Sequence, residues 1–100
     1  MTRLEFKEYL MSEGLTRSEI ADIFNKYCLN DISFINDSKF KIIHIYDLAT
    51  LGADYLKTAT NSTKLPESAN FYEFGKYVVD NYKDIYCLCE SSNRVIEWKH

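Results

Sequence analysis

The sequence is poor in the residues that interrupt regular structure, with one proline and three glycines among 100 residues. So few breaks leave no room for a flexible linker or a low-complexity tract. A chain of this length typically forms one domain, so we expect a single domain over residues 1–100. Apolar residues make up 46% of the chain and aromatic residues 15%. That content is enough for a hydrophobic core without disulfides or a metal.

A strong charge of either sign is also missing, since twelve Lys and Arg stand against fifteen Asp and Glu. A nucleic-acid binder usually carries a basic surplus on one face, so the composition argues against direct nucleic-acid binding. A protein that imitates DNA needs a dense negative stripe, because B-DNA carries about one charge per 1.7 Å of its axis. Residues 67–97 hold six carboxylates against Lys76, Lys83 and Arg94, which is only a mild acidic tilt.

Long apolar runs are absent, and none approaches the roughly 18 residues that span a membrane. The first ten residues, MTRLEFKEYL, lack the apolar stretch of a signal peptide. The three cysteines are an odd number. In a chain without an export signal, we therefore expect reduced thiols, a cytoplasmic protein and no membrane partner.

The first half of the chain predicts two helices followed by a hairpin. Residues 3–12 form a short amphipathic helix that Gly14 closes, and Thr16 with Glu19 has the spacing of a capping box at the start of the next helix. The apolar face of this helix 17–28 is formed by Ile20, Ile23, Phe24, Tyr27 and Cys28. An alternating, β-branched pattern over residues 32–45 then predicts two short strands.

The second half repeats the order of helices and strands. The stretches DLATLGADYLK and FYEFGKYVVD have helical spacing, with Asp47 and Asn70 as N-caps and a polar surface loop around Pro66 between them. The stretches DIYCLC and RVIEW predict a second hairpin. The predicted fold is a single small α+β domain of order α-α-β-β-α-α-β-β with an antiparallel sheet.

Two of the glycines lie inside predicted helices at matching positions. Gly52 and Gly75 each fall four residues after the first apolar residue of their helix, on the buried face. A glycine there costs roughly 1 kcal/mol relative to alanine, but it lets another backbone approach closely. We therefore expect a neighbouring backbone to lie against each glycine. The alternative is two unrelated helices that each use a small residue at a crossing.

The order of motifs in the second half resembles the repeating domain of ArdA-type antirestriction proteins, small factors of phages and conjugative elements. That pattern has an acidic residue and LG before an aromatic, a loop with LP, an aromatic-rich helix start and a final hairpin. The matching positions are Asp47, Leu51-Gly52, Tyr55, Leu65-Pro66, residues 70–76 and residues 85–98. The resemblance covers about residues 45–98, and Lys76 stands where the family has Arg.

The resemblance implies an inhibitor that binds a restriction complex through an elongated acidic surface imitating DNA. Family members are long, multidomain and strongly acidic, whereas this chain has a net charge of −3. We therefore expect a non-enzymatic anti-defence protein that binds a host restriction or CRISPR nuclease complex by ordinary complementarity.

The expected binding surface lies around residues 72–90, where exposed tyrosines beside charges are typical of protein interfaces. Its members are Tyr72, Glu73, Lys76, Tyr77, Asp80, Asp84 and Glu90. The alternative is that part of these rings cover the core. Gly52, Gly75 and Pro66 are expected to have structural roles.

Candidate catalytic and metal-binding groups have simpler interpretations. Cysteines 87 and 89, with Cys28, His44 and His100, could supply zinc ligands, but structural zinc sites usually space their cysteines C-x₂₋₄-C. In a strand, Cys87 and Cys89 share one face and are expected to pack in the core. A Cys28–His44 pair lacks a recognisable orienting group, and Asp80 with Asp84 is expected to be solvated charge. We expect no enzyme activity, metal or cofactor.

The alternative function is a small DNA-binding transcriptional regulator that uses helix 17–28. The stretch SEIADIF resembles the start of many helix-turn-helix domains, whose recognition helix follows after a short turn. The next residues here are LNDISFIND, which are β-like and acidic.

Overall fold

A computed structural model describes residues 1–36, 38–60 and 70–99. The elements are α1 (Arg3–Ser12), α2 (Arg17–Lys26), β1 (Ile42–Asp47), α3 (Leu48–Thr60), α4 (Phe71–Asn81), β2 (Tyr86–Cys89) and β3 (Arg94–Trp98). The α+β class, the antiparallel sheet and the order of helices and strands are confirmed. Pro66 and His100 lie outside the described residues, so the roles predicted for them stay predictions.

The segment of the first predicted hairpin contributes one strand of the sheet, β1, and a short pairing with the N-terminus. Phe34 forms an isolated antiparallel bridge with Thr2. Beside it, the N–H of Ile35 donates to the Met1 carbonyl at 2.7 Å, and the Met1 ammonium donates to the Ile35 carbonyl at 2.8 Å. The hydrogen bonds expected across the hairpin therefore go to the start of the chain instead.

Side-chain caps fix where three of the helices begin. Thr2 and Thr16 each form a capping box, with Glu5 and Glu19 respectively, and the Asn70 side chain accepts from the Glu73 N–H at 3.2 Å. These bonds satisfy amide groups that have no partner inside the helix.

Helix α2 ends two residues earlier than the sequence predicts. Its last residue is Lys26, with Tyr27 as the C-cap. Cys28 has a φ of 55° and is exposed, so its predicted place on the apolar face of the helix is wrong. A left-handed backbone at this position cannot continue a right-handed helix.

The sheet has the strand order β1-β3-β2, with both pairings antiparallel. On the central strand, Ile96 lies opposite Ile45 and Cys87. The neighbouring Val95 lies opposite Tyr46 and Leu88, and consecutive side chains point to opposite faces. The sheet therefore presents two different apolar faces, and each needs a cover.

The two helical pairs supply these covers, which makes a three-layer domain. On the first face, Cys87, Ile96 and Trp98 pack with buried side chains of α1 and α2. On the second, Val95 packs with Leu48, Val78 and other residues of α3 and α4. Full burial of one large aliphatic or aromatic side chain contributes about 1.5–3 kcal/mol, so each core is a substantial source of stability.

Helices α3 and α4 cross at the two internal glycines. A Cβ atom on Gly52 would overlap the Phe71 carbonyl oxygen and lie 2.7 Å from the backbone nitrogen of Gly75. A Cβ atom on Gly75 would overlap the Leu48 carbonyl oxygen and lie 2.8 Å from the Leu48 Cδ1. The predicted close backbone contact is confirmed, and it joins these two helices to each other.

Candidate protein-binding site

The outer side of α4 carries five of the residues predicted to bind a partner. Its inner side is formed by Gly75, Val78 and Val79, which are buried. The outward residues repeat at four-residue intervals, which places them on one side of a helix. We call this set the α4 face, and its members are Tyr72, Glu73, Lys76, Tyr77 and Asp80, all exposed.

The tyrosines of the α4 face are open to solvent. Tyr72 is 54% exposed and Tyr77 is 51% exposed. About half of each residue is therefore open to solvent, and the other half is covered by its neighbours. Half-exposed tyrosine rings keep apolar area available for a partner.

The other two predicted residues, Asp84 and Glu90, are exposed but lie at opposite ends of β2. A strand of four residues spans roughly 13 Å, so the structure does not bring these two carboxylates together. Glu90 lines a groove of about 510 Å³ with Asp80 and with Asp22 of α2. Asp84 is not among the residues that line this groove.

Charges of both signs alternate over this side of the molecule. Lys76 lies between Glu73 and Asp80 on the helix, and Lys26 lines the groove that contains Asp80 and Glu90. Arg94 pairs with Glu19 of α2, which packs on the other face of the sheet. The carboxylates of the α4 face and the hairpin therefore do not form one continuous acidic band.

A second groove, with a volume of about 430 Å³, lies between the sheet, α3 and the end of α4. Its walls include Tyr46, Tyr55, Tyr82 and Tyr86, with Asp54 at the side. Leu51, Val78 and Ile85 supply aliphatic surface. We call this the tyrosine groove. Tyr77 of the α4 face packs on Tyr55 with ring centroids 5.7 Å apart, so the two surfaces are continuous.

Glu97 of the central strand places a carboxylate beside the tyrosine groove. Its neighbours across the sheet are His44 on β1 and Tyr86 on β2. The Tyr46 hydroxyl donates to Glu97 Oε1 at 2.9 Å, and the His44 ring stacks on Tyr46 with centroids 4.6 Å apart. This bond holds the Glu97 carboxylate and the Tyr46 ring in one arrangement.

Three tyrosines of this groove have pKa values above the ordinary value of 10.0 and are neutral at physiological pH. Burial raises the pKa of Tyr46 to about 12, helped by its bond to Glu97 and by the negative charge of Glu97 and Asp54. Burial and Glu97 also raise the pKa of Tyr86. The pKa of Tyr55 is raised by desolvation and by Tyr77. The groove therefore combines neutral aromatic walls with negatively charged carboxylates.

Sequence reasoning missed the tyrosine groove because its residues come from four separate elements and a turn. The available signal was the alternation in the strands, where Tyr86 and Glu97 point away from the side that carries Cys87 and Ile96. Polar or amphipathic residues at those alternate positions indicate that part of the second face is in contact with water. They do not say which helix borders it.

On the opposite side of the sheet, a buried carboxylate fastens α2 to the β2–β3 turn. Glu19 is 0% exposed. Its Oε1 accepts from the Thr16 N–H at 2.8 Å and from Arg94 Nη1 at 3.1 Å, and its Oε2 accepts from the Ser92 hydroxyl at 2.7 Å. Nearby, Asp22 Oδ2 accepts from the Ser91 N–H at 3.0 Å.

The balance of burial and hydrogen bonding sets the charge of Glu19. Burial raises its pKa, but the Thr16 N–H, the Ser92 hydroxyl and the Arg94 guanidinium together outweigh burial and bring the pKa below the usual 4.5. Glu19 is therefore ionised at neutral pH, and its bonds are charge-assisted. These residues maintain the fold rather than offering a free surface.

Within residues 1–36, 38–60 and 70–99, no group of three or more His, Cys, Asp or Glu side chains could hold a metal ion. Cys87 and Cys89 are buried in the core, and Cys28 is exposed on the turn after α2. No helix in the same ranges has the length and apolar character to cross a membrane. No family model, curated protein or solved structure matches the chain.

Proposed function

We propose that the chain is a non-enzymatic anti-defence inhibitor that acts in the host cytoplasm by binding a nuclease complex of the restriction or CRISPR kind. The observation that carries the proposal is the α4 face, where Tyr72 and Tyr77 expose half of their surface beside three charged side chains. Tyrosine is enriched among the residues that dominate binding energy at protein interfaces. The ArdA-like order of motifs over residues 45–98 supplies the class of target.

Ordinary surface complementarity is the mode of binding that the charges support. Imitation of DNA needs negative charges at close, regular intervals. Here Lys76 interrupts the carboxylates of α4, and Asp84 and Glu90 lie at opposite ends of β2. A partner would therefore meet aromatic area at the centre of the surface and charges of both signs around it.

Size-exclusion chromatography tests the proposal directly. The full chain is mixed with purified restriction complexes and CRISPR effector complexes, and the fractions are analysed for co-elution. Stable co-elution with one complex, together with inhibition of its DNA cleavage, is the expected result. If the chain elutes alone with every candidate and leaves cleavage unchanged, the proposal is wrong.

A DNA-binding regulator that uses helix 17–28 is the second candidate. It is favoured by the short turn between α1 and α2, where Gly14 has a φ of 91°, because a glycine-containing turn joins the helices of many helix-turn-helix motifs. If α2 were the first helix of the motif, a recognition helix should follow it, but the next element among the described residues is β1. If α2 were the recognition helix, its start should face the DNA, but Glu19 and Asp22 fasten it to the β2–β3 turn. A gel-shift assay of the chain with DNA at low salt tests this candidate. The absence of any shift would show that it is wrong.

A further inference from the structure

The tyrosine groove has the dimensions and lining of a specific binding site. Its volume of about 430 Å³ falls within the range of roughly 300–1,000 Å³ that is usual for ligand pockets. Four tyrosines form the walls, and aliphatic side chains line the rest. Such a groove can surround a side chain and remove much of its apolar part from water.

The charges at the groove are all of one sign among the residues that the structure describes. Asp54 lines it, and Glu97 is joined to the wall residue Tyr46. No lysine or arginine is among its described lining residues. Both carboxylates act on Tyr46. Burial is the main cause of its raised pKa, and the negative charges of Glu97 and Asp54 raise it further. The groove therefore carries a negative potential that no described residue of its wall neutralises.

The aromatic rings of the groove also favour a cationic ligand. A cationic group within about 6 Å of a tyrosine ring is attracted by the ring electrons, by about 0.5–2 kcal/mol depending on exposure. The phenols of Tyr46, Tyr55 and Tyr86 are neutral at physiological pH, and their raised pKa values extend this neutrality to higher pH. The walls and the carboxylates thus favour the same kind of ligand.

We infer that the tyrosine groove binds the cationic side chain, lysine or arginine, of a partner protein. The Tyr55–Tyr77 contact makes the groove continuous with the α4 face, so one partner can contact the face and insert this side chain beside it. The inference rests on the proposed protein-binding function and names the chemistry of the contact.

The test is an NMR titration of the full chain with short peptides that differ in one central residue. Acetylated and amidated Gly-Lys-Gly and Gly-Arg-Gly are the cationic probes, and Gly-norleucine-Gly is the neutral probe of similar shape. Saturable shifts of the ring signals of Tyr46, Tyr55, Tyr82 and Tyr86 are expected with either cationic peptide, at least about fivefold stronger in affinity than with norleucine. Equal affinity for norleucine, or no shift with any peptide, would overturn the inference.

Charge-neutral variants locate the binding. The double variant Asp54→Asn with Glu97→Gln keeps shape and leaves an acceptor for the Tyr46 hydroxyl, and it is expected to weaken cationic-peptide binding at least about fivefold. Glu8→Gln removes one exposed charge on α1, which packs on the other face of the sheet, and is expected to leave the affinity unchanged. If Glu8→Gln weakens binding as much as the double variant, the weakening reflects long-range charge rather than the groove, and the inference fails.

The same variants separate this inference from the proposed function. Peptide binding in the groove without co-elution of any nuclease complex would contradict the proposed target and support the groove. Co-elution of a complex that the double variant leaves unchanged would support the target and overturn the groove as a partner contact.

Discussion

Gly52 of α3 and Gly75 of α4 meet at the helix crossing so closely that a methyl group on Gly52 would lie 2.7 Å from the Gly75 nitrogen. Each helix thus uses its internal glycine to bring the other backbone into contact. The crossing fixes which side of α4 faces inward, and hence which side presents Tyr72 and Tyr77. The architecture of the candidate site depends on this pair.

Alanine at either glycine is expected to destabilise the protein, although alanine favours helices. The added Cβ of Gly52→Ala or Gly75→Ala meets backbone atoms of the partner helix, which cannot move without separating the helices. A loss of about 1–3 kcal/mol in the free energy of unfolding is expected, measured by urea denaturation. Gly75→Leu should cost at least as much.

Lys76→Ala is the matched control for the glycine variants, because Lys76 is exposed on the same helix. Its free energy of unfolding should stay within about 0.5 kcal/mol of the original chain. A glycine variant that is more stable than the original chain would show that the close crossing does not exist.

The crossing could be predicted from sequence because it leaves a local signature. Glycine on the apolar face of a helix is unfavourable by itself, so its presence in two helices at the same offset indicates a tertiary reason. The helix starts at Thr16 and Asn70 can be predicted from the sequence in the same way, since an N-cap bonds to residues within one turn of the helix. Features such as caps and glycines on a helix face can be predicted because they depend on residues close together in the sequence.

The tyrosine groove and the place of residues 34–35 depend on contacts between distant residues. Glu97 and Tyr46 are 51 positions apart, and the Ile35–Met1 bonds join segments 34 positions apart. A strand pattern specifies which residues share a face but not which segment pairs with it. The sequence predicts the wrong place for Cys28 for a different reason, since its apolar character continues the helical pattern beyond the end of α2 at Lys26.

Loss of the cation beside Glu19 is expected to destabilise the domain. Arg94→Met leaves the buried carboxylate with its hydroxyl and amide donors but without the guanidinium. Hydrogen bonds to charged groups contribute about 1.5–3 kcal/mol, so a loss of this size is expected in urea denaturation. Lys83→Met, which removes an exposed cation from the α4–β2 turn, should change the stability by less than about 0.5 kcal/mol.

Because of the Glu19 carboxylate, the free energy of unfolding should depend on pH in the acidic range. The folded-state pKa of Glu19 lies below its usual value of 4.5, so the unfolded chain binds this proton first as the pH falls. Its contribution to stability is complete above pH 4.5 and is lost as the pH falls through the lowered folded-state pKa. The stability difference between the original chain and Glu19→Gln should therefore shrink on acidification below pH 4.5. A difference that is constant with pH would contradict the assignment.

Tyr46 is expected to titrate late because of burial and Glu97. Its pKa of about 12 compares with 10.0 for an ordinary tyrosine, and its contribution to stability is present below pH 10 and lost as the pH rises towards 12. Glu97→Gln should lower the pKa of Tyr46, followed by the ring signals in NMR. An unchanged titration would mean that the Glu97 charge does not reach this ring.

The three thiols should differ in accessibility. Cys28 is exposed, whereas Cys87 and Cys89 are buried. In the folded protein, a thiol reagent such as dithionitrobenzoate should react rapidly with one equivalent, and with all three after unfolding. Cys28→Ser should abolish the rapid phase. Rapid reaction of two or more thiols in the native state would contradict the core position of Cys87 and Cys89.

Inhibition of DNA cleavage by the nuclease complex that co-elutes with the chain tests the central claim most directly. The double variant Tyr72→Ala with Tyr77→Ala removes the exposed rings of the α4 face and should need at least about tenfold more protein for half-inhibition, since interface tyrosines often contribute more than 1 kcal/mol each. Met11→Ala, a truncation of a residue 53% exposed on α1, should inhibit as the original chain does. Full inhibition by the double tyrosine variant would contradict the account.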